Sequence, residues 1–291
     1  PGASYPGASL FGAYGGLTCM LSTGLTRAAL MDSLRRRHHY GTTGNRMILD
    51  TRVMFDASAE LFDDDPNLGD TSSQQATQAM MGDILRSDAD TVRFAIDALA
   101  SAPVERMEIR NGLDIIETFR PYEANALGQR IRVVWEGSEY RGRGRHTIWD
   151  GSAHLDGNTF ESAKSINSYN LDKTFDQTGS GDLEWTALTT GGFGGFEARL
   201  SDGQAGTLRI DTELVKCEIP VADIGFEDLV FEAGGIGRRI RVFRLPDENA
   251  HSRVNVEREI TLKKAGDNAL YVCLTQEDGH LIWSSPIYIF R

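Results

Sequence analysis

Cysteine is scarce. The three residues present, Cys19, Cys217 and Cys273, stand far apart and form no Cys-x-x-Cys pair, which excludes a zinc ribbon or a thioredoxin-type redox motif built on that spacing. Two of them could pair, but the run Leu270-Tyr271-Val272-Cys273-Leu274 reads as a strand in which cysteine is a small apolar residue. Positive charge is also in deficit: 30 Lys and Arg stand against 42 Asp and Glu, a formal −12 with pI ≈ 5.0. Phosphate recognition relies on clustered cations that displace counterions, and Arg35-Arg36-Arg37 is the main basic cluster. Nucleic acid is therefore not an expected partner. No run approaches the ~20 apolar residues of a bilayer-spanning helix, and no membrane partner is expected. Gly-x-Ser-x-Gly, Walker A and His-Glu-x-x-His motifs are absent.

What is present is a globular chain of 291 residues, 40% apolar, long enough to bury one large core or two smaller ones. A short strand is expected near residues 16–21. Thr26 is a good helix N-cap, Leu30 and Leu34 share a face, and Arg35 to His39 place cations in the last turn, with Gly41 as the stop. Beyond Gly44 the period changes from near 3.6 to 2: Met47, Leu49, Val53 and Phe55 alternate with polar neighbours. Asn111-Gly112 lies between two strand-like runs and predicts a hairpin. Further alternating runs at 131–135, 183–187, 208–214, 240–243, 254–262, 270–274 and 282–289 argue for an antiparallel sandwich. Pro286 places the last strand at an edge or a bulge. The segment 57–80, with Asp63-Asp64-Asp65-Pro66, reads as a solvated loop.

Candidate chemistry is thin. His38 and His39 are adjacent, so on a helix their rings diverge and do not grip one ion together. His146, Asp150 and His154 have the spacing of helical zinc ligands, but Gly142, Gly144 and Gly151 argue against a helix there. Asp63, Asp64, Asp65, Asn67 and Asp70 lack the register of an EF-hand. The glycine clusters at 191–195 and 234–237 precede strand-like runs, so they read as bends rather than phosphate cradles. Trp135, Trp149, Trp185 and Trp283 form either a core or a sugar-stacking platform.

Several stretches together resemble a known family. They are Pro1-Gly2-Ala3, Gly15-Gly16-Leu17-Thr18, the run Thr26 to Leu34, Arg35-Arg36-Arg37-His38-His39-Tyr40-Gly41-Thr42-Thr43-Gly44, Met81-Gly82-Asp83, Ala102 to Gly112 and Thr275 to Tyr288. The chain is similar to a bacterial domain-of-unknown-function family (three-six-zero-four) related to the PHP (polymerase and histidinol phosphatase) metallohydrolases. The resemblance implies a distorted (β/α) barrel holding divalent zinc, manganese or iron, and metal-activated water that attacks a small anionic ester. The chain opens on Pro1 without an initiator Met, and the ligands the resemblance implies lie before that point. It is therefore expected to be a C-terminal fragment without catalytic metal or activity of its own.

The expected fold class is mainly β: residues 1–56 the terminal α/β segment of a truncated barrel, 57–80 an acidic connecting loop, and 81–291 an antiparallel β-sandwich-like accessory domain. The candidate substrate-binding residues are Thr42, Thr43, Gly44, Arg46 and His39, with no numbered metal ligand. Hydroxyls and a bidentate guanidinium suit an anion. The alternative is a non-catalytic sandwich that binds a glycan or protein through exposed aromatics, Trp149 and Tyr140 foremost.

Overall fold

The computed structural model describes residues 15–142, 145–168, 170 and 172–291. Both Pro-Gly-Ala-Ser segments, and Arg143 and Gly144, lie outside the described residues. Strands make up 56% and helices 5% of the chain, which bears out the mainly β, antiparallel expectation.

The chain begins with β1 (Leu17–Met20), α1 (Arg27–Arg35), β2 (His39–Thr42), β3 (Ile48–Phe62), β4 (Ser73–Met80), β5 (Ile84–Arg86), β6 (Thr91–Leu99), β7 (Val104–Asn111) and β8 (Asp114–Phe119). The middle holds β9 (Leu127–Ser138), β10 (Thr147–Ile148), β11 (Gly151–Asp156), β12 (Phe160–Ile166), β13 (Phe175–Gln177) and β14 (Asp182–Trp185). It continues with β15 (Leu188–Thr189), β16 (Phe193–Leu200), β17 (Thr207–Thr212), β18 (Lys216–Pro220), β19 (Leu229–Glu232) and β20 (Ile236–Pro246). The end supplies β21 (Arg253–Thr261), β22 (Asn268–Gln276), β23 (Leu281–Ser284) and β24 (Ile287–Phe290).

Two compact units result. Among the described residues, 122–249 form one, and 15–121 together with 250–291 form the other. The discontinuous unit is a 12-stranded sheet in the order β1-β2-β23-β22-β24-β5-β3-β6-β21, with β4 on β3 and with β7 and β8 leading off β22. Its ladders are antiparallel except for the parallel pair β24 and β5. Period-2 alternation turns Met47, Leu49, Val53 and Phe55 into one core with Phe94, Ile96, Leu270, Val272 and Leu274. Each such buried side chain contributes about 1.5–3 kcal/mol of hydrophobic stabilisation.

In the continuous unit, two five-stranded sheets, β13-β14-β11-β17-β18 and β12-β16-β9-β20-β19, contribute to a shared apolar core, as a sandwich requires. Trp135 and Trp185 stack there with ring centroids 5.1 Å apart. Gly194 is required beside them, because a Cβ would lie 2.7 Å from Trp135 Nε1. On the opposite side of β9, Arg130 and Arg132 both reach Glu197, at 3.0 and 2.7 Å.

The structure departs from the sequence expectations at definite points. The segment 57–80 completes β3 and supplies β4, with the loop confined to residues 63–72. The outward side of β4 is polar Ser and Gln, so it reads as loop although Ala79 is buried. Residues 39–55 are built into the 12-stranded sheet rather than forming a separate remnant, and residues 81–291 contribute to both units. The helix is capped by Thr26 as expected, with Ala29 N–H donating to Thr26 Oγ1 at 3.2 Å, but it ends at Arg35. Arg37, at φ +60°, makes the left-handed stop in place of Gly41. The His38 and Arg37 N–H groups donate back to Ser33 O and Leu34 O, the paired bonds of a Schellman end. Asn111 is the last residue of β7, and the two-residue turn is Gly112-Leu113, with Gly112 at φ +62°. Asn111 stays in the strand because its side chain is buried against Asn268 Oδ1 at 2.8 Å. Pro286 splits the final run into β23 and β24 instead of marking an edge, and β24 is paired on both sides.

Candidate functional site

Between β2 and β3 the chain makes a tight turn. Thr42 Oγ1 donates to Asn45 O at 2.8 Å and accepts from Gly44 N–H at 3.2 Å, and Gly44 takes φ +120°, which only glycine adopts readily. Tyr40 anchors the entry strand, its hydroxyl donating to Met47 O at 2.8 Å; burial pushes that phenol above its ordinary pKa.

A second turn, between β22 and β23, meets the first. Thr43 Oγ1 lies 2.9 Å from His280 Nδ1 and accepts from Leu281 N–H at 3.0 Å. Thr43 N–H donates to Leu281 O at 3.0 Å. Asp278 ties the two turns together, accepting from His280 N–H at 3.0 Å and from Asn45 Nδ2 at 3.2 Å. Arg46 leaves this pair of turns exposed. Its guanidinium is the group there suited to bidentate contact with an anion.

Of the five expected site residues, Thr42, Thr43, Gly44 and Arg46 thus fall in one turn and at its exit. His39 does not share a face with Thr42, because successive strand residues alternate and the two are separated by an odd step on β2. Its Nδ1 is buried and has no hydrogen-bond partner among the described residues. Burial, followed by the charges of His38 and Arg37, lowers its pKa.

A separate polar pair lies next to the helix end. His38 Nε2 is 2.8 Å from Asp83 Oδ1, with only 15% and 9% of the two side chains exposed. Asp83 Oδ2 also accepts from Met80 N–H at 2.8 Å, and Arg37 Nε donates to Gly82 O at 2.9 Å. Sequence reasoning gave no role to Asp83, Asp278 or His280 individually. The available signal was their place in the stretches Met81 to Asp83 and Thr275 to Tyr288, which the structure brings to the strands around His38 and Thr43.

The remaining candidates separate. His146 precedes β10, Asp150 lies between β10 and β11, and His154 is on β11, 2.6 Å from Asp182 Oδ1; no helix aligns them. Among the described residues no group of three or more His, Cys, Asp or Glu is gathered so as to hold a metal ion. Asp63 pairs with Arg36 at 2.7 Å and also binds Ser72. All three cysteines are free thiols. Trp149 is fully buried, its Nε1 donating to Thr189 Oγ1 at 2.9 Å, so it offers no stacking face. Tyr140 is 48% exposed and Trp283 38%. No helix of the described residues is long and apolar enough to cross a membrane.

No curated protein and no solved structure matches the chain. The model of one family matches residues 7–177, more than half of the sequence, and the chain belongs to that family, described as a protein of unknown function, DUF3604.

Proposed function

We propose that this chain is the substrate-orienting part of a metal-dependent ester hydrolase of PHP type, in which a barrel domain carries the divalent zinc, manganese or iron. The donor set of the described residues does not fit a multinuclear metal centre, so the ions would be held by other side chains. When bound they would supply an activated water. The residues described here bind and orient.

The observation that carries this reading is the joining of the Thr42–Arg46 turn to the Asp278–His280 turn. Four hydrogen bonds lock the two loops, one between Thr43 and His280, two between Thr43 and Leu281 and one from Asn45 to Asp278, and the guanidinium of Arg46 emerges beside them without a carboxylate partner among the described residues. A small anionic ester would be held there by charge-assisted hydrogen bonds to Arg46. A fixed scaffold under an anion-binding side chain keeps the bound geometry narrow, which is where positioning residues gain their effect.

The test is hydrolysis of phosphate mono- and diesters by the protein expressed from its complete coding sequence, stripped of metal and reloaded with zinc, manganese or iron. Turnover restored by one of the metals is the expected result. Absence of turnover with all of them, or turnover that chelation leaves untouched, would contradict the reading.

A further inference from the structure

One row of residues crosses four neighbouring strands of the 12-stranded sheet: Glu108 on β7, Cys273 on β22, Trp283 on β23 and Gly41 on β2, each paired directly with the next. Their sequence neighbours Ile109, Val272, Ile282 and Tyr40 are core residues, so the row faces away from the core. It spans about 14 Å, three strand spacings. Gly41 is the telling member. β2 is paired on both sides in regular register, and Gly41 is not among the glycines with positive φ. A Cβ there would meet only Leu17 O, at 3.9 Å, so neither backbone nor the Trp283 ring occupies the space above it. Glycine weakens a strand and is kept there for a bulge, a bend or the close approach of another group. With no bulge, no special φ and no backbone contact at Gly41, the close approach of a ligand accounts for it.

Trp283 stands beside that open space. It is 38% exposed, against 4% for Trp135, 0% for Trp149 and 3% for Trp185. Among the described residues no aromatic ring or guanidinium packs on it. Its indole N–H donates to the thiol of the buried Cys273, which fixes the side chain. At the far end of the row, Arg110 Nε and Nη2 both donate to Glu108 Oε2, Nε at 2.8 Å. The pair is neutral as a whole, and Glu108 Oε1 remains as an acceptor.

A fixed aromatic plane, an unfilled strand position beside it and an uncharged polar end together complement a ligand with a flat apolar face and a hydroxyl rim. We propose that this face of the sheet binds a neutral oligosaccharide: one pyranose ring lies on Trp283 with its edge over Gly41, and a hydroxyl further along donates to Glu108 Oε1. This site is independent of the hydrolase reading, since it uses none of the Thr42–Arg46 residues.

Acrylamide quenching of tryptophan fluorescence in the 291-residue chain reads the site directly, because Trp283 is the exposed one of the four tryptophans. Cellohexaose, laminarihexaose and maltohexaose are the probes, and at least one is expected to protect Trp283 from the quencher in a saturable way. Isothermal titration with that sugar then compares two variants. Trp283→Ala removes the plane, and Gly41→Val fills the space beside it without touching Trp283; a β-branched residue suits a strand, so the unfolding midpoint should not fall. Each is expected to weaken binding about tenfold or more, the scale of one lost aromatic contact. No protection by any of the three sugars at millimolar concentration, or a Gly41→Val chain that keeps its midpoint and binds as tightly as the parent, would overturn the site.

Discussion

The carbonyl oxygen of Arg37 stands where a side chain on Gly82 would begin: a Cβ there would lie 2.4 Å from it. Both residues have positive φ, +60° for Arg37 and +95° for Gly82. Gly82→Ala therefore meets backbone strain and a backbone clash together and is expected to cost about 3 kcal/mol. Urea unfolding checks this, with a lower midpoint and an unchanged slope. Arg37→Gly is expected to be near neutral, because relief of the left-handed conformation, about 1 kcal/mol, offsets loss of the bond to Gly82 O, also about 1 kcal/mol.

Glu197 makes acid stability predictable. Burial raises its carboxyl pKa, but the hydrogen bond from Arg130 and the charges of Arg132 and Arg130 outweigh that and hold it at about 2. A group whose folded pKa lies below its unfolded value, about 4.3, contributes fully above the unfolded value and loses that contribution as pH falls through the folded one. At about 1.4 kcal/mol per pH unit, the contribution lost between pH ~4.3 and ~2 is about 3 kcal/mol. Glu197→Gln should flatten this acid limb in a stability–pH series and lower stability at pH ~7, where the fully buried Arg132 loses its charged partner.

Thr43 bridges His280 Nδ1 and Leu281 N–H with one hydroxyl. Thr43→Val keeps the shape and removes both contacts, at an expected cost of about 1–2 kcal/mol. The ¹⁵N shift of His280 Nδ1 should move in that variant and return towards the native value in Thr43→Ser. An unmoved shift would show that the two turns are not joined through this hydroxyl.

Thiol reactivity offers a further check. Burial pushes Cys217 up to about 11 and Cys273 up to about 12, and the thiolate is the reactive form. At pH ~8 neither should react with an aromatic disulfide reagent until the chain is unfolded in denaturant, when both should react at once.

Much of the strand content was legible in the sequence because period-2 alternation is local. Met47 to Phe55 point into the core in the order their alternation indicates, and Thr26 caps the helix through a bond that spans three residues. The division into units was not legible. It rests on pairings such as Asn111 with Asn268 across the whole of the continuous unit, and no local pattern encodes a return of that length. The helix end was misplaced for a similar reason: Gly41 carries the usual stop signal, while Arg37 takes the left-handed turn because Gly82, distant in sequence, leaves room for it. At the candidate site the Thr42–Gly44 turn could be read from its residues, but its partner His280 is brought there by the pairing of β2 with β23. Trp149 carried no cue to its burial, since its hydrogen bond to Thr189 depends on the pairing of β10 with β15.

The most direct test of the hydrolase account is the split between kcat and KM for Arg46→Gln in the protein expressed from its complete coding sequence and loaded with its activating metal. An anion-orienting Arg46 predicts KM for a phosphate ester raised about tenfold or more, with an unchanged unfolding midpoint, since the side chain is exposed. Identical kcat and KM in the variant and the parent protein would contradict it.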